Sequence, residues 1–436
     1  MSIRFYVEKK SGSARFMLEN KQKRTQVAMV IASLLLGVIV FRFYIVLLTA
    51  DYAALTADDF KNHVETALDF LNYTKYGSRA IEVFKEENRY SHIIAYPVWH
   101  IAVLGVSFLF RMLRIFDENA LVVYSIATTN TLLLLITFWI IVHYYRKSNK
   151  SVWGIIVALC MMFCGPLDNF GLFDRYYLGA YTANIWHNPT YLAVKPLAIA
   201  CFLCYAKLVS DREAQNKQYV QAALLLGISA LCKPSFYQAF IPGLVGYCIF
   251  HFLIKRKKDV FLHYLKIALT CVPVGIIAIV QSKIAVTGEG GAGLSFWPFY
   301  VIGHFTENWR AAVLLSLAFP MFIYLVCVLR KKWNSEIETA CWMIASAFGM
   351  YIAFYFDVNP FAADFSWGVG LALNIGFVVA GKELLNLWDK SWIWKISAIL
   401  GYLLLCAHTF FGIVYLQNIW KYGMFLDKLN YFGLGS

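Results

Sequence analysis

Residues 26–49 read QVAMVIASLLLGVIVFRFYIVLLT, an apolar run interrupted by one charge, Arg42. A helix needs roughly 20 apolar residues to cross a bilayer core, so this run is long enough to span. Lys21, Lys23 and Arg24 stand just before it. Positive charge flanking a first span stays on the cytoplasmic side, which puts the amino terminus inside and the segment after residue 49 outside. No small-residue cleavage site follows, so the run reads as an uncleaved anchor.

The rest of the chain agrees with that reading. Its 436 residues are 60% hydrophobic, 17% aromatic and 15% charged, too little polar surface for a soluble globule. The expected fold class is all-α, a polytopic integral membrane protein. A net charge of +13 would suggest nucleic acid in a soluble domain. Here the basic residues fall in short runs between apolar segments, where they set orientation, so no nucleic-acid partner is expected. The ten cysteines lie inside apolar stretches and imply no disulfide framework. Cys201 and Cys204 form a CxxC within a span, which reads as packing on one helix turn rather than metal or redox chemistry.

Apolar stretches and basic runs together give a topology. Residues 50–120 form an exterior loop holding an amphipathic helix, Phe60 to Tyr73, and an apolar stretch at 93–116. That stretch is broken by Tyr96-Pro97 and carries His100, Arg111 and Arg114, so it is expected to lie along the outer leaflet without crossing. Spans are then expected at 121–142, 152–165, 190–209, 219–232, 237–254, 262–283, 310–329, 337–356, 367–384 and 393–415. With the first, that makes about eleven crossings in one membrane domain covering residues 1–436. The runs Arg146-Lys147, Lys255 to Lys258 and Arg330-Lys331-Lys332 all fall inside under this assignment.

Residues able to do chemistry gather in the exterior loops. Asp58 and Asp59 stand side by side ahead of the amphipathic helix; one of them reads as its N-cap, which leaves the other free. The loop at 166–189 holds Asp168, Asp174, Arg175 and the run Asn184-Ile185-Trp186-His187-Asn188-Pro189-Thr190. Lys195 follows in the outer turns of the next span. A lysine at a span's centre costs roughly 2.5–3.5 kcal/mol to insert, so such a residue faces a cavity or a partner. Lys233, in Leu231-Cys232-Lys233-Pro234, faces the same compartment. Each lysine also has a plainer reading, snorkelling to headgroups, and so does Arg42. Asp364, in Ala363-Asp364-Phe365-Ser366-Trp367, is either a helix cap or a site residue. His63 and His100 read as surface or packing histidines, and Asn72-Tyr73-Thr74 matches a short glycosylation pattern. Metal-ligand spacing is not evident, so no cofactor is expected, although a divalent ion at the aspartate pair stays open. Trp186, Tyr176, Tyr177, Tyr181, Trp297, Phe299 and Trp367 sit in or beside exterior loops, either as sugar-stacking rings or as an interfacial belt.

The uncut first span, the acidic pair ahead of an amphipathic helix, Tyr96-Pro97-Val98-Trp99-His100, and Leu231-Cys232-Lys233-Pro234 together resemble the GT-C glycosyltransferases. These include the protein O-mannosyltransferases and the lipid A aminoarabinose transferases. The chain departs from the commonest pattern in having Asp-Asp where Asp-Glu is frequent. The resemblance implies a donor sugar on a polyprenyl phosphate, an acceptor hydroxyl on a glycan, lipid or protein, and an active site facing outward from a bacterial cytoplasmic membrane. It implies Asp58 as general base with Asp59 beside it, and Lys195, Lys233, Arg175 and Arg42 as partners of the donor phosphate. His187, Trp186, Asp364 and Trp367 are the expected substrate contacts.

Other classes fit less well. A transporter would concentrate ionisable residues near the midplane and show related halves, whereas here they gather at span ends with no internal repeat. A polysaccharide polymerase or ligase would carry a long basic exterior loop late in the chain; here the longest loop is the first. A membrane acyltransferase would centre on a histidine within the membrane. A non-enzymatic assembly or flippase-partner role is the remaining alternative.

Overall fold

Apolar periodicity decides which way each helix turns. The first helix is a clear case in the computed structural model, which describes residues 2–49, 63–64, 66–67, 95–148, 151–167, 181–286, 293–357, 360–388 and 391–422. In α1 (Ser2–Thr49), Val27, Val30, Ile31, Leu34 and Val38 form an exposed stripe, while Ala32, Leu36, Val40, Phe43 and Leu47 are buried. Both stripes follow the spacing of helical turns. An apolar exposed face beside an apolar buried one is what a helix at the rim of a membrane bundle requires.

Along the described residues follow α2 (Pro97–Leu113), α3 (Glu118–Tyr145), α4 (Ser151–Phe163), α5 (Pro189–Leu208), α6 (Asn216–Cys232), α7 (Ser235–Lys255), α8 (Lys258–Leu269) and α9 (Val272–Val286). Then come β1 (Leu294–Phe296), α10 (Tyr300–Phe305), α11 (Trp309–Leu329), α12 (Ser335–Ala353), β2 (Phe354–Phe356), α13 (Ser366–Asn386) and α14 (Trp392–Tyr422). The two strands pair antiparallel, Ser295 opposite Tyr355, a small feature that periodicity did not announce.

Among the described residues eight helical segments are long and apolar enough to cross a membrane: Gln22–Thr49, Ala120–Tyr145, Pro189–Leu208, Ser235–Lys255, Lys258–Lys283, Trp309–Leu329, Ser366–Asn386 and Trp392–Lys421. This is the pattern of a multi-pass membrane protein. Eight of the eleven expected crossings meet that standard of length and composition. The other three stretches are helices, but α4 has 13 residues, α6 has 17, and α12 carries Glu336 and Glu338 in its first turn. The stretch at 262–283 is also two helices rather than one, interrupted at Thr270-Cys271 between α8 and α9. At 17 residues, α2 covers about 25 Å, short of the roughly 30 Å of a hydrocarbon core. Trp99, His100, Val103 and Ser107 face inward from α2, whereas Ile101, Phe108, Leu109 and Met112 are exposed. That two-faced pattern suits a helix lying along an apolar boundary.

α13 forms the axis, with 94% of its apolar window buried against 33% for α1. α7 and α12 approach it and each other closely. At Gly243, a Cβ would lie 2.7 Å from the Trp342 carbonyl, so only glycine permits that approach. The helix ends gather at two poles. At one, Arg330 donates to the Leu387 carbonyl at 3.1 Å and His251 meets Glu338 at 2.8 Å, joining the ends of α11, α13, α7 and α12. The basic residues Arg146, Lys255 and Arg330 lie at this pole, at the ends of α3, α7 and α11. The opposite pole holds the start of α5 and the ends of α1, α4, α6 and α14.

Candidate functional site

The chain between α4 and α5 shapes the second pole. Asn188 caps α5: its side chain accepts a hydrogen bond from the Tyr191 backbone N–H at 2.8 Å, and Pro189 takes the first helical position, where a missing N–H costs nothing. The same Asn188 oxygen accepts from the Thr190 hydroxyl at 2.9 Å. The Thr190 oxygen in turn accepts from the Lys233 ammonium at 3.2 Å. Lys233 is the extended residue between α6 and α7, held in that conformation by the proline that follows. Its ammonium lies 4.7 Å from the centre of the Trp367 ring, within cation–π range. Lys233 is 8% exposed.

Lys195 is buried more deeply, at 1% exposure. It donates to the Asn184 side-chain oxygen, and the Asn184 amide nitrogen donates to the carbonyls of Met161 at 2.9 Å and Cys164 at 2.8 Å. Among the described residues no carboxylate lies within ion-pair distance of Lys195. Its charge is therefore carried by a neutral amide, itself oriented by the end of α4.

That end of α4 is clamped by α14. The Gly165 N–H donates to the His408 carbonyl at 2.9 Å. The His408 ring meets the Gly165 carbonyl through Nδ1 at 2.6 Å and the Phe319 backbone N–H through Nε2 at 3.3 Å. An acceptor on one side and a donor on the other put the ring proton on Nδ1. At Gly412 a Cβ would fall 1.6 Å from the Phe163 carbonyl, so α14 can pass here only with glycine.

Aromatic rings enclose the pole. Trp186 is buried, its carbonyl accepts from the Tyr44 hydroxyl at 2.6 Å, and its ring meets Phe43 and Phe163, each at 5.4 Å between centres. The His187 ring lies 5.9 Å from Trp367, and its Nδ1 is 3.4 Å from the Tyr415 hydroxyl. Tyr181 packs edge-on to Tyr351 and Phe348; burial pushes its phenol well above the usual tyrosine range, with Tyr351 adding to the rise, so it stays neutral.

Of the residues anticipated from sequence, Trp186, His187, Lys195, Lys233 and Trp367 are gathered at this one pole. Arg42 lies apart from the lysines, lining a chamber that it shares with Trp186. Asp364 is exposed and precedes Phe365, which holds the N-cap position of α13, so the cap reading of Asp364 gives way. Asp58, Asp59 and Arg175 lie outside the described residues, as do Asp168, Asp174, Tyr176, Tyr177 and Asn72-Tyr73-Thr74. His63 and His100 are not on the surface. Both are buried, with His63 Nδ1 3.4 Å from His100 Nε2, so they pack against each other beside Trp99. Among the described residues no group of three or more metal-ligating side chains converges.

Sequence reasoning passed over Asn184, Asn188 and Thr190 as functional groups, although the run containing them was visible. The Asn-Pro-Thr order is a capping signal, and it places Thr190 in the first turn of α5. Tyr415 and His408 gave no such signal, since their partners His187, Gly165 and Phe319 lie far away in sequence. Set against known proteins, the chain matches no protein-family model and no curated protein.

Proposed function

We propose that this chain is an inverting glycosyltransferase of the GT-C kind, moving a sugar from a polyprenyl-phosphate donor to an acceptor hydroxyl on the extracytoplasmic face of a bacterial membrane. The observation carrying this reading is the pair of buried lysines, Lys195 and Lys233, set at one pole among an amide, a hydroxyl and an indole ring. A buried cation such as Lys195, held by a neutral amide, favours an anion that supplies charge-assisted hydrogen bonds. The amino terminus of α5 adds positive potential at the same place. A polyprenyl phosphate has the matching chemistry: an anionic head at the end of a tail that stays in the bilayer.

In the proposed reaction the acceptor oxygen forms a bond to the anomeric carbon as the bond from that carbon to the donor phosphate breaks. Asp58 takes the acceptor proton, and Asp59 orients the acceptor. The electron pair of the broken bond leaves on the phosphate, where Lys233 stabilises the growing charge. A single displacement inverts the anomeric centre. Trp367 and His187 flank the lysine and offer stacking and hydrogen-bonding surface to a sugar. The acceptor is a glycan, lipid or protein hydroxyl, consistent with modification of the cell envelope.

Purified protein given a radiolabelled polyprenyl-phosphate sugar and a membrane extract as acceptor source should transfer label, and Asp58→Asn protein should not. Equal transfer by the two proteins would remove Asp58 from the chemistry. Absence of transfer by the wild type with hexose, pentose and aminosugar donors would reject the transferase reading.

A further inference from the structure

Beside Trp186 a chamber of about 430 Å³ opens between α1 and α14. Its volume falls within the range of roughly 300–1,000 Å³ usual for ligand sites. Ile39, Phe163, Ile413 and Leu416 form apolar walls, and four side chains with polar groups join them: Arg42, Gln417, Trp186 and Trp420. The neighbouring face of α1 is the one turned outward from the bundle, with Val38 69% exposed. A recess of this kind in a bilayer is open to hydrocarbon, since its walls offer water too few partners.

Among the described residues two polar groups here have no protein counterpart. Among the described residues no carboxylate lies within ion-pair distance of Arg42. The Trp186 indole N–H is buried without a hydrogen-bond acceptor among the same residues. Snorkelling does not account for Arg42 well. Helical side chains leave the backbone toward the helix amino terminus, whereas the nearer end of this span is its carboxyl end at Thr49. A cation left in an apolar recess calls for an anion that brings its own hydrocarbon.

We infer that the chamber is a binding site for one anionic phospholipid of the surrounding bilayer, its phosphate at Arg42 and one acyl chain along Ile39, Ile413 and Leu416. Trp186 forms the shared wall between this lipid and the Lys233 pole. A bound lipid therefore fixes the indole, and with it the segment running from Asn184 to His187. The inference goes beyond the proposed transfer reaction and holds without it.

Native mass spectrometry of the detergent-purified full chain tests this with phosphatidylglycerol, phosphatidylcholine and undecaprenyl phosphate as separate probes. Phosphatidylglycerol should bind one to one and about tenfold or more tighter than phosphatidylcholine. Arg42→Gln should weaken it by a similar factor, the expected loss of one charge-assisted contact. Ile413→Trp, which fills the chamber from the lipid-facing side, should weaken it as well and serves if Arg42→Gln fails to fold. Lys233→Ala should leave it unchanged. Equal retention of phosphatidylglycerol by wild type and the folded chamber variants overturns the site. Equal binding of phosphatidylcholine overturns the role of charge, and displacement of phosphatidylglycerol by equimolar undecaprenyl phosphate overturns the choice of occupant.

Discussion

The two poles of the bundle handle charge in opposite ways. At the pole with the basic runs, carboxylates have donors in place: Lys382 and the Tyr144 hydroxyl both donate to Glu336, His251 meets Glu338 at 2.8 Å, and Asn334 donates to Glu383 at 3.0 Å. At the other pole, Lys195 meets an amide, and Lys233 meets a hydroxyl and an indole ring. The first arrangement satisfies its charges internally and ties α3, α7, α12 and α13 together. The second holds the Lys195 ammonium on a neutral amide that a stronger acceptor can replace. Charge neutralised in place is architecture, whereas charge on neutral partners is capacity for an anion.

Substitutions at each pole should separate these roles. The largest effect is expected from Asp58→Asn, which should lower transfer by about 10²- to 10⁴-fold, the usual contribution of a positioned general base, with thermal stability unchanged. Next comes Asn184→Leu. It leaves the Lys195 ammonium and the carbonyls of Met161 and Cys164 without their partner, at a cost of about 2–4 kcal/mol, read as a lowered melting temperature in detergent. A melting curve like that of the wild type would show that Asn184 does not hold the pole together. Lys233→Ala should raise the apparent donor constant about tenfold or more, through loss of one charge-assisted contact. If its effect falls on stability alone, the two poles are alike and the contrast fails. The smallest effect is expected at the paired pole. Glu336→Gln should cost about 1 kcal/mol of stability, because its partners are part-exposed and screened, and should leave donor affinity untouched.

Helix positions were legible because apolar runs and basic punctuation are local signals. The spans around Ala120–Tyr145, Pro189–Leu208 and Trp309–Leu329 fall within a few residues of where periodicity puts them. Count was less legible. α4 and α6 are short for a bilayer crossing and α12 carries Glu336 and Glu338, yet all three pack among longer helices and so need not meet the bilayer's requirements alone. The break between α8 and α9 at Thr270-Cys271 is marked locally by Pro273 in the first turn of α9, a signal that the reading of 262–283 as one span passed over.

At the candidate site, charge in an apolar context was the useful signal. It singled out Lys195 and Lys233, whose burial makes each of them costly unless partnered. Their partners could not be read the same way. Asn184 lies 11 residues from Lys195 and Thr190 lies 43 from Lys233, and asparagine and threonine are ordinary loop residues until the fold shows what they face. His63 and His100 show the same limit, being 37 positions apart and in contact only through the packing of α2. Glu336 and Lys382 were overlooked because each sits near the edge of an expected span, where solvated charge is common.

Binding of sugar-free undecaprenyl phosphate to the purified wild type, Lys233→Ala and Glu336→Gln proteins, measured side by side at equal ionic strength, tests the central claim most directly. The account predicts that Lys233→Ala binds about tenfold or more weakly while Glu336→Gln matches the wild type. Equal affinity in all three proteins would contradict it, because the pole with the two buried lysines would then have no privileged role in holding an anion.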